Sequence, residues 1–318
     1  MDLFLSIVLL IAGMTLLIKG ADWFVEGASS IAKSLHIPSL VIGLTLVSIG
    51  TSMPEFSVSL TSSIQGLNDM SYGNIVGSNI FNTFVVIGVS AVITPLVVSK
   101  SIQKYDLPIL TGIYLLLLLF SFVISKGTIE VWESVIIFVL TFIYTAFLII
   151  RSRKDKVEDD PNEKKKKWWV SLILVIVGLA SIIFGGDLVV DNAATFAKKI
   201  GMSELLVGLT IVAVGTSLPE LVTSIVAAKK GENDIAVGNA IGSCIYNVIL
   251  ILGLCSIVEP MKVDFIVVFD CIAMIASVAV LFIFSLKNRK VNRWQGIVMI
   301  AIYAVYLTII ILRNIGLF

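Results

Sequence analysis

Apolar runs of about 20 residues alternate with short polar connections along the whole chain. Ten runs can be marked, and they cover residues 3–25, 39–65, 71–97, 105–125, 131–150, 168–190, 204–228, 235–258, 263–286 and 293–313. A hydrocarbon core about 30 Å thick takes roughly 20 helical residues, and backbone in lipid must satisfy its hydrogen bonds internally. The pattern therefore predicts an all-α polytopic membrane protein with ten transmembrane helices.

Composition excludes most other classes of protein. Hydrophobic residues make up 58% of the 318 residues and charged residues 14%, whereas soluble domains carry about 25% charged residues. A net charge of +1 gives no field that would attract nucleic acid. The three cysteines lie in apolar runs without a CxxC or Cys/His cluster, so neither a zinc site nor a disulfide framework is predicted. We expect no cofactor, a lipid bilayer as surroundings and no obligate protein partner.

Lysine and arginine are distributed unevenly between the connections. With the N-terminus outside, the inside connections hold 17 of them, while the outside connections and the C-terminus hold 5. The positive-inside rule then places both termini outside the cell. The long polar segment 151–167, RSRKDKVEDDPNEKKKK, becomes a cytoplasmic linker. The first run lacks a basic leader and a cleavage site, so we interpret it as a retained helix.

The two halves of the chain repeat each other at an offset of 165 residues. IGLTLVSIGTSMPE (42–55) aligns with VGLTIVAVGTSLPE (207–220) at 9 of 14 identical positions, and GNIVGSNIFN (73–82) aligns with GNAIGSCIYN (238–247) at 6 of 10. Each half carries five spans, and an odd number inverts the second half relative to the first. We therefore predict two inverted five-helix repeats, 1–150 and 168–318, an architecture typical of transporters with midplane substrate sites.

Glu55 and Glu220 occupy equivalent positions deep inside their spans. An acid at the bilayer centre costs about 2.5–3.5 kcal/mol on the insertion scale, and intramembrane acids generally have functional roles. The sequence places no lysine or arginine at a matching depth, because Lys19 lies nearer a helix end and can reach the interface. A bound cation is therefore the expected partner of the two carboxylates.

Polar residues around each glutamate share one helix face. Spacings of three and four residues predict this face in the first repeat and its counterpart in the second. The face consists of Ser48, Ser52, Glu55, Ser59 and Ser62, and its counterpart of Ala213, Ser217, Glu220 and Ser224. Pro54 and Pro219 have no N–H to give to the carbonyls of Gly50 and Gly215, so each predicts a kink. The freed carbonyls near Gly50, Thr51, Gly215 and Thr216 are candidate cation ligands.

The second motif adds further oxygens at helical spacing. We take Ser78, Ser243, Asn82 and Asn247 as candidate ligands, and the neighbouring glycines as close-packing positions. Asn74 and Asn239 fit either ligation or hydrogen bonding between helices. Asp69 and Asp234 precede predicted helices and are expected to cap them. Asp22 and Asp187 fit either a structural or a vestibule role.

All the candidate ligands are carboxylate, amide, hydroxyl or carbonyl oxygens. Hard cations such as calcium and sodium take such ligands, whereas zinc and copper favour imidazole or thiolate. Magnesium loses its water reluctantly. The residues therefore favour a calcium or sodium site.

These motifs resemble the two alpha-repeats of prokaryotic-type sodium/calcium exchangers in the calcium/cation antiporter superfamily. The resemblance spans both halves, and it implies a ten-helix inverted-repeat fold that exchanges sodium for calcium, with three sodium ions per calcium. It implies calcium binding by Glu55 and Glu220 with the backbone of Thr51 and Thr216. Sodium would use overlapping positions, which are Ser52, Ser217, Ser78 and Ser243 with the backbone at Ser48 and Ala213.

The chain also differs from some branches of that superfamily. The proton-coupled branch typically shows a G-N-A-x-E motif at the glutamate, which this sequence lacks. Some potassium-dependent relatives carry Asp where Asn82 or Asn247 stands here. Residues 151–167 leave no room for a large calcium-sensing domain. We therefore expect a sodium-coupled transporter of a prokaryotic plasma membrane.

Three other functions compete with this interpretation. A proton/calcium antiporter could use the same glutamates, and flux under a sodium or a pH gradient distinguishes the two. A passive channel could also use them, although channels tend to form rings by oligomeric symmetry. An intramembrane hydrolase needs Ser/His, paired-Asp or HExxH chemistry. The single histidine, His36, lies in a predicted loop, so the sequence gives little support to a hydrolase.

Overall fold

The structure is a computed structural model that describes residues 3–153, 167–199 and 213–314. The first repeat contains helices α1 (Leu3–Ser34), α2 (Ser39–Thr51), α3 (Met53–Ile64), α4 (Asn68–Ile93), α5 (Ile102–Ile124) and α6 (Val131–Ser152). The second contains α7 (Trp168–Lys199), α8 (Ala213–Gly215), α9 (Leu218–Lys229), α10 (Asn233–Val258), α11 (Val268–Leu286) and α12 (Arg293–Asn314). The predicted all-helical membrane fold with two repeats is confirmed.

Several helices contain short π-helical segments, and one is preceded by a 3₁₀ turn. The π segments are Gly43–Val47 in α2, Asn82–Val86 in α4, Ile102–Asp106 and Leu119–Ile124 in α5, and Asn247–Leu252 in α10; the 3₁₀ turn is Phe265–Val267. π segments inside α-helices are rare and often mark functional sites. Those at Asn82 and Asn247 begin at candidate ligands.

Among the described residues, eight helices are long and apolar enough to cross a membrane. The pair α2–α3 bends by 49° at its break and makes a ninth span when the two helices are counted as one. The predicted span 204–228 falls partly on residues 200–212, which lie outside the described part of the chain. The first span ends at Ser34 rather than at residue 25, because small residues such as Ala28 and Ala32 stay buried beyond the apolar run.

Helices α4 and α10 lie at the centre of the molecule. In each, 78% of the most apolar window is buried, against 17–44% in the other single-helix spans. Gly242 of α10 lies close to α2, since a Cβ there would stand 2.8 Å from the carbonyl oxygen of Leu44. The central pair therefore positions the residues of the second motif inside the protein.

Helices α1 and α7 pack against each other along a row of small residues. A Cβ on Gly20 would lie 2.8 Å from the carbonyl oxygen of Gly178, and one on Gly13 would lie 2.9 Å from that of Gly185. Small residues let two membrane helices approach backbone to backbone. The matched pairs run in opposite directions along the two sequences, so the helices are antiparallel, as an inverted repeat requires.

Two short antiparallel β-bridges join connections that the topology prediction places on the same side. Leu96–Val97 pairs with Lys290–Val291, and both belong to predicted inside connections. Thr128–Ile129 pairs with Met261–Lys262, and both belong to predicted outside connections. Both pairings are therefore consistent with the predicted alternation of the spans.

The expected capping role of Asp69 and Asp234 is wrong. α4 begins at Asn68 after Leu67, and α10 begins at Asn233 after Glu232, without a side-chain capping bond at either start. Both aspartates lie inside the first helical turn, where their negative charge interacts favourably with the helix dipole. The preceding glycines, Gly66 and Gly231, adopt φ values of +73° and +80°, and these turns bring the chain directly into the helix.

Candidate ion-binding site

Each site glutamate lies in the first turn of a helix that begins at a kink. Ser52 and Ser217 interrupt the helices with φ/ψ of −83°/9° and −91°/7°, and Pro54 and Pro219 follow within the first turn. Glu55 and Glu220 come next, and neither side chain is exposed. The positive ends of α3 and α9 therefore lie beside the two carboxylates.

Serine side chains connect each glutamate to the opposite repeat. Ser217 Oγ donates to Glu55 Oε1 at 2.8 Å, and Ser52 Oγ donates to Glu220 Oε1 at 2.8 Å. Ser217 Oγ also contacts Ser78 Oγ at 3.0 Å. The sequence analysis placed each serine on the same helix face as the glutamate of its own repeat. It did not predict that each serine bonds the glutamate of the opposite repeat.

The second motif supplies further polar groups to the same region. Ser78 Oγ donates to Glu55 Oε1 at 3.4 Å, and Ser243 Oγ donates to Glu220 Oε1 at 3.4 Å. Ser243 Oγ also lies 3.3 Å from the carbonyl oxygen of Ser48. The inverted repeat thus brings Ser48, Ser78 and Ser243 next to the two carboxylates.

Several buried polar atoms at this centre have no hydrogen-bond partner among the described residues. They are Oε2 of Glu55, Oε2 of Glu220, both amide atoms of Asn82, and Oδ1 of Asn247. Unpaired buried polar atoms are costly and ask for an explanation such as a bound ion or water. Asn82 and Asn247 lie one helical turn after Ser78 and Ser243, which bond the two carboxylates. Unpaired oxygens of this kind have the chemistry of a site for a hard cation.

The remaining predicted ligands lie on the kinks. Thr51 is buried and Thr216 is half-buried, and each directly precedes the serine at its kink. Ser48 begins the last turn before the first kink. Ala213 is the first residue of α8, so its backbone stands at the equivalent place in the second repeat.

Asn74 and Asn239 brace the kinks, so the structure supports hydrogen bonding between helices over direct ligation. Asn239 Nδ2 donates to the Glu220 carbonyl oxygen at 3.2 Å, and Asn239 Oδ1 accepts from Thr51 Oγ1 at 2.9 Å. Asn74 Nδ2 donates to the Glu55 carbonyl oxygen at 3.3 Å, and Asn74 Oδ1 accepts from Thr216 Oγ1 at 3.5 Å. Each asparagine therefore connects the kink of its own repeat to that of the other.

Asp22 of α1 and Asp187 of α7 are equivalent in the repeat but have different surroundings. Asp22 forms an ion pair with Lys230, with Oδ1 and Nζ 2.8 Å apart. Position 65, the repeat equivalent of Lys230, holds a glutamine. Asp187 instead lines, together with Asp191, a cavity of about 590 Å³ that reaches Thr216. The first of these equivalent aspartates thus belongs to an ion pair, and the second lines an acidic cavity.

Sequence reasoning missed an ion pair in each repeat, which is buried in the first repeat and partly buried in the second. Arg151 Nη1 lies 3.0 Å from both carboxylate oxygens of Asp106, and Tyr144 donates to the same aspartate at 3.2 Å. Arg151, which the sequence placed at the start of the linker, belongs to the last turn of α6 and is 8% exposed. The corresponding pair joins Arg313 to Asp270 at 2.9 Å. Repetition of a tyrosine seven residues before each arginine was a signal in the sequence.

Comparisons with known proteins agree with the motifs. A family described as "Sodium/calcium exchanger protein" matches residues 5–150 and 170–312. The chain is 33% identical over 346 residues to the sodium/calcium exchanger MaX1 of Methanosarcina acetivorans, with 96% of this chain and 98% of that protein covered. It is 35% identical over 269 residues to the inner membrane protein YrbG of Escherichia coli, with 82% of each covered.

A solved structure shows the same fold. The sodium-calcium exchanger NCX_Mj, soaked with zero Na⁺ and Ca²⁺, superimposes with a TM-score of 0.84 at 31% identity, covering 97% of this chain and 100% of that one. The chain is therefore an integral membrane transport protein and not an enzyme. Two family matches, a relative of nearly equal length and a shared two-repeat fold together show that it belongs to the sodium/calcium exchanger family, whose members exchange calcium and other cations.

Proposed function

We propose that this protein exchanges sodium for calcium by alternating access through one shared site between the repeats. The observation that carries the proposal is the pair of fully buried carboxylates, Glu55 and Glu220, each with one oxygen that lacks a partner among the described residues. They come from opposite repeats and are surrounded by hydroxyl, amide and carbonyl oxygens. Such a site suits a cation that sheds its water.

The residue roles follow from this arrangement. In the proposal, Glu55 and Glu220 hold calcium together with the carbonyl oxygens of Thr51 and Thr216. Sodium ions occupy overlapping positions made by the remaining oxygens. Those oxygens belong to Ser52, Ser217, Ser78, Ser243, Asn82 and Asn247, with the backbone of Ser48 and Ala213.

We take three sodium ions for each calcium, the number that the family resemblance implies, and this ratio fixes the charge of the loaded site. The two glutamates give the empty site a formal charge of −2 when both are ionised, and both asparagines are neutral. One calcium brings the loaded site to zero, and three sodium ions bring it to +1. Exchange in this ratio moves net charge, so we propose that transport is electrogenic.

The different surroundings of Asp22 and Asp187 support alternating access. The cavity beside Asp187 reaches Thr216, while the equivalent end near Asp22 carries the ion pair with Lys230. The relatives' identities and the distribution of basic residues support a prokaryotic plasma membrane with extracellular termini and a cytoplasmic central linker. In that orientation the cavity opens to the outside.

Calcium flux in proteoliposomes tests this function. Vesicles loaded with calcium are placed in media that impose a sodium, a potassium or a proton gradient, and calcium release is followed in each. We expect release only with an inward sodium gradient, and an ionophore that collapses that gradient should stop it. Release driven by protons alone would indicate a proton/calcium antiporter, and release without any counter-ion would indicate a channel.

A further inference from the structure

Asn82 and Asn247 occupy equivalent positions in the two repeats, but their side chains are held differently. Asn247 Nδ2 donates to Asn79 Oδ1 at 3.0 Å. Both amide atoms of Asn82 are buried without a hydrogen-bond partner among the described residues. The two proposed ligands are equivalent in the repeat, but only Asn247 has a hydrogen bond that holds its side chain.

The difference arises three residues before each asparagine. The first repeat has Asn79 there, and the second has Cys244. Asn79 Nδ2 donates to the Cys244 carbonyl oxygen at 3.1 Å, and Cys244 Sγ donates to the Asn79 carbonyl oxygen at 3.6 Å. The thiol thus reproduces the donation that the amide nitrogen of Asn79 makes.

The thiol does not reproduce the acceptor. Asn79 offers a second atom, Oδ1, which receives the amide nitrogen of Asn247. A cysteine sulfur is only a weak acceptor, and no hydrogen bond joins Cys244 to Asn82 among the described residues. A cysteine in place of an asparagine at this position therefore removes one acceptor, and the buried carboxamide of Asn82 has no hydrogen-bond partner among the described residues.

We infer that Asn79 is a positioning residue for Asn247, and that Cys244 withholds the same support from Asn82. With its nitrogen held by Asn79, Asn247 keeps its unpaired Oδ1 available for a cation. Asn82 has no equivalent hydrogen bond, so an incoming ion must fix the orientation of its amide. This inference rests on the proposed function, because it treats both asparagines as ligands of the transported ions.

Exchange of the two residues tests the inference. The Cys244→Asn substitution adds the missing acceptor, and Asn79→Cys removes the existing one. Ordering one side chain on binding changes affinity by about two- to tenfold, so we expect KM for calcium to fall about threefold in Cys244→Asn and to rise about threefold in Asn79→Cys. The maximal rate should change less, because the effect acts on binding. Cys244→Ala, which adds no acceptor, is the matched control and should keep the wild-type KM.

Backgrounds that lack each ligand separate positioning from packing. In an Asn247→Ala background, Asn79→Cys should change KM no further, and in an Asn82→Ala background, Cys244→Asn should give no gain. Such non-additivity is expected only when one residue acts through the other. Equal effects of Asn79→Cys with and without Asn247 would overturn the inference. The Asn79 variants decide the question if Cys244→Asn does not fold.

A crystal structure of the Cys244→Asn variant gives an answer independent of transport. The introduced amide oxygen should lie about 3 Å from Asn82 Nδ2, the usual hydrogen-bond distance. An Asn82 amide that stays unpaired in that structure would contradict the inference. Failure of the proposed function would appear separately, as a wild-type protein that does not release calcium under any gradient.

Discussion

Ser217 donates its hydroxyl to Glu55 across the boundary between the repeats, with Oγ and Oε1 2.8 Å apart. The inverted repeat duplicates this bond at 2.8 Å between Ser52 and Glu220. Each carboxylate is therefore held by the residue that precedes the helix of the other. Neither repeat can assemble this centre alone, which gives the duplication of the chain a chemical meaning.

Replacing either glutamate by glutamine should abolish calcium transport. A dication needs both carboxylates, because a single remaining anion would face two positive charges. We therefore expect Glu55→Gln and Glu220→Gln each to reduce calcium flux by more than about 100-fold, in line with the loss of a buried charge partner. Flux in proteoliposomes, with thermal unfolding to verify folding, is the measurement.

Glu133 provides the matched control for these variants. It is also fully buried, but it lies in α6 and accepts hydrogen bonds from Ser125 Oγ and the backbone N–H of Glu130. Glu133→Gln should keep calcium transport. Near wild-type flux in either site variant would show that the site is wrongly assigned.

The buried pair of Arg151 and Asp106 should matter more for stability than its counterpart in the second repeat. Removing one partner of a buried pair costs about 3–5 kcal/mol, because it leaves an uncompensated charge. Arg151→Met should therefore lower the unfolding temperature strongly, and more than Arg313→Met, since Arg313 is 21% exposed. Thermal unfolding in detergent measures both.

The double variant Asp106→Asn with Arg151→Met tests the cause of that loss. It removes both charges, so it should recover most of the stability that Arg151→Met loses. Equal destabilisation by the single and the double variant would mean that packing, including the contact of Arg151 with the Tyr105 ring, dominates over charge.

Gly242→Ala should disrupt the contact between α10 and α2. The added Cβ would lie 2.6 Å from Ser48 Oγ and 2.8 Å from the carbonyl oxygen of Leu44. Overpacking of this kind costs about 1–3 kcal/mol, and the shift of Ser48 should also weaken calcium binding. Unfolding temperature and calcium KM are the measurements.

Gly112→Ala is the control for this substitution. A Cβ at Gly112 meets no described atom within 4 Å, and alanine is favoured over glycine in helices by about 1 kcal/mol. Stability should stay the same or rise. If both glycine variants behave alike, close approach at Gly242 does not explain its role.

Membrane potential should influence exchange. Each elementary charge that crosses the membrane is biased by about 2.3 kcal/mol per 100 mV, so an inside-negative potential should favour sodium entry and calcium extrusion. A potassium/valinomycin clamp in liposomes sets the potential while sodium-driven calcium flux is recorded. Flux and an equilibrium point that ignore potential would mean two sodium ions, or a third charge compensated by a proton.

The sequence predicted those features that depend on local pattern or on the repeat. Apolar runs marked the spans, and Pro54 and Pro219 marked the kinks that put Glu55 and Glu220 in a first helical turn. Three- and four-residue spacing placed the serines on one face. These features follow from helical geometry, which a single sequence displays directly.

Features that depend on contacts between distant residues escaped the sequence. Ser52 and Ser217 each bond the glutamate of the opposite repeat, and this can be predicted only when the relative position of the two kinks is known. Arg151 looked like a linker charge, since nothing local shows that Asp106 lies beside it. The capping role expected for Asp69 failed because the turn at Gly66 lets α4 begin at Asn68, before Asp69 is reached.

Equilibrium binding of calcium at increasing sodium concentration tests the central claim most directly. Radioactive calcium is bound to the purified wild-type protein, and sodium is raised while potassium replaces it at constant ionic strength. If both ions use the site of Glu55 and Glu220, calcium affinity should fall as sodium rises, with a dependence steeper than one ion. Calcium affinity that does not respond to sodium would contradict a shared site.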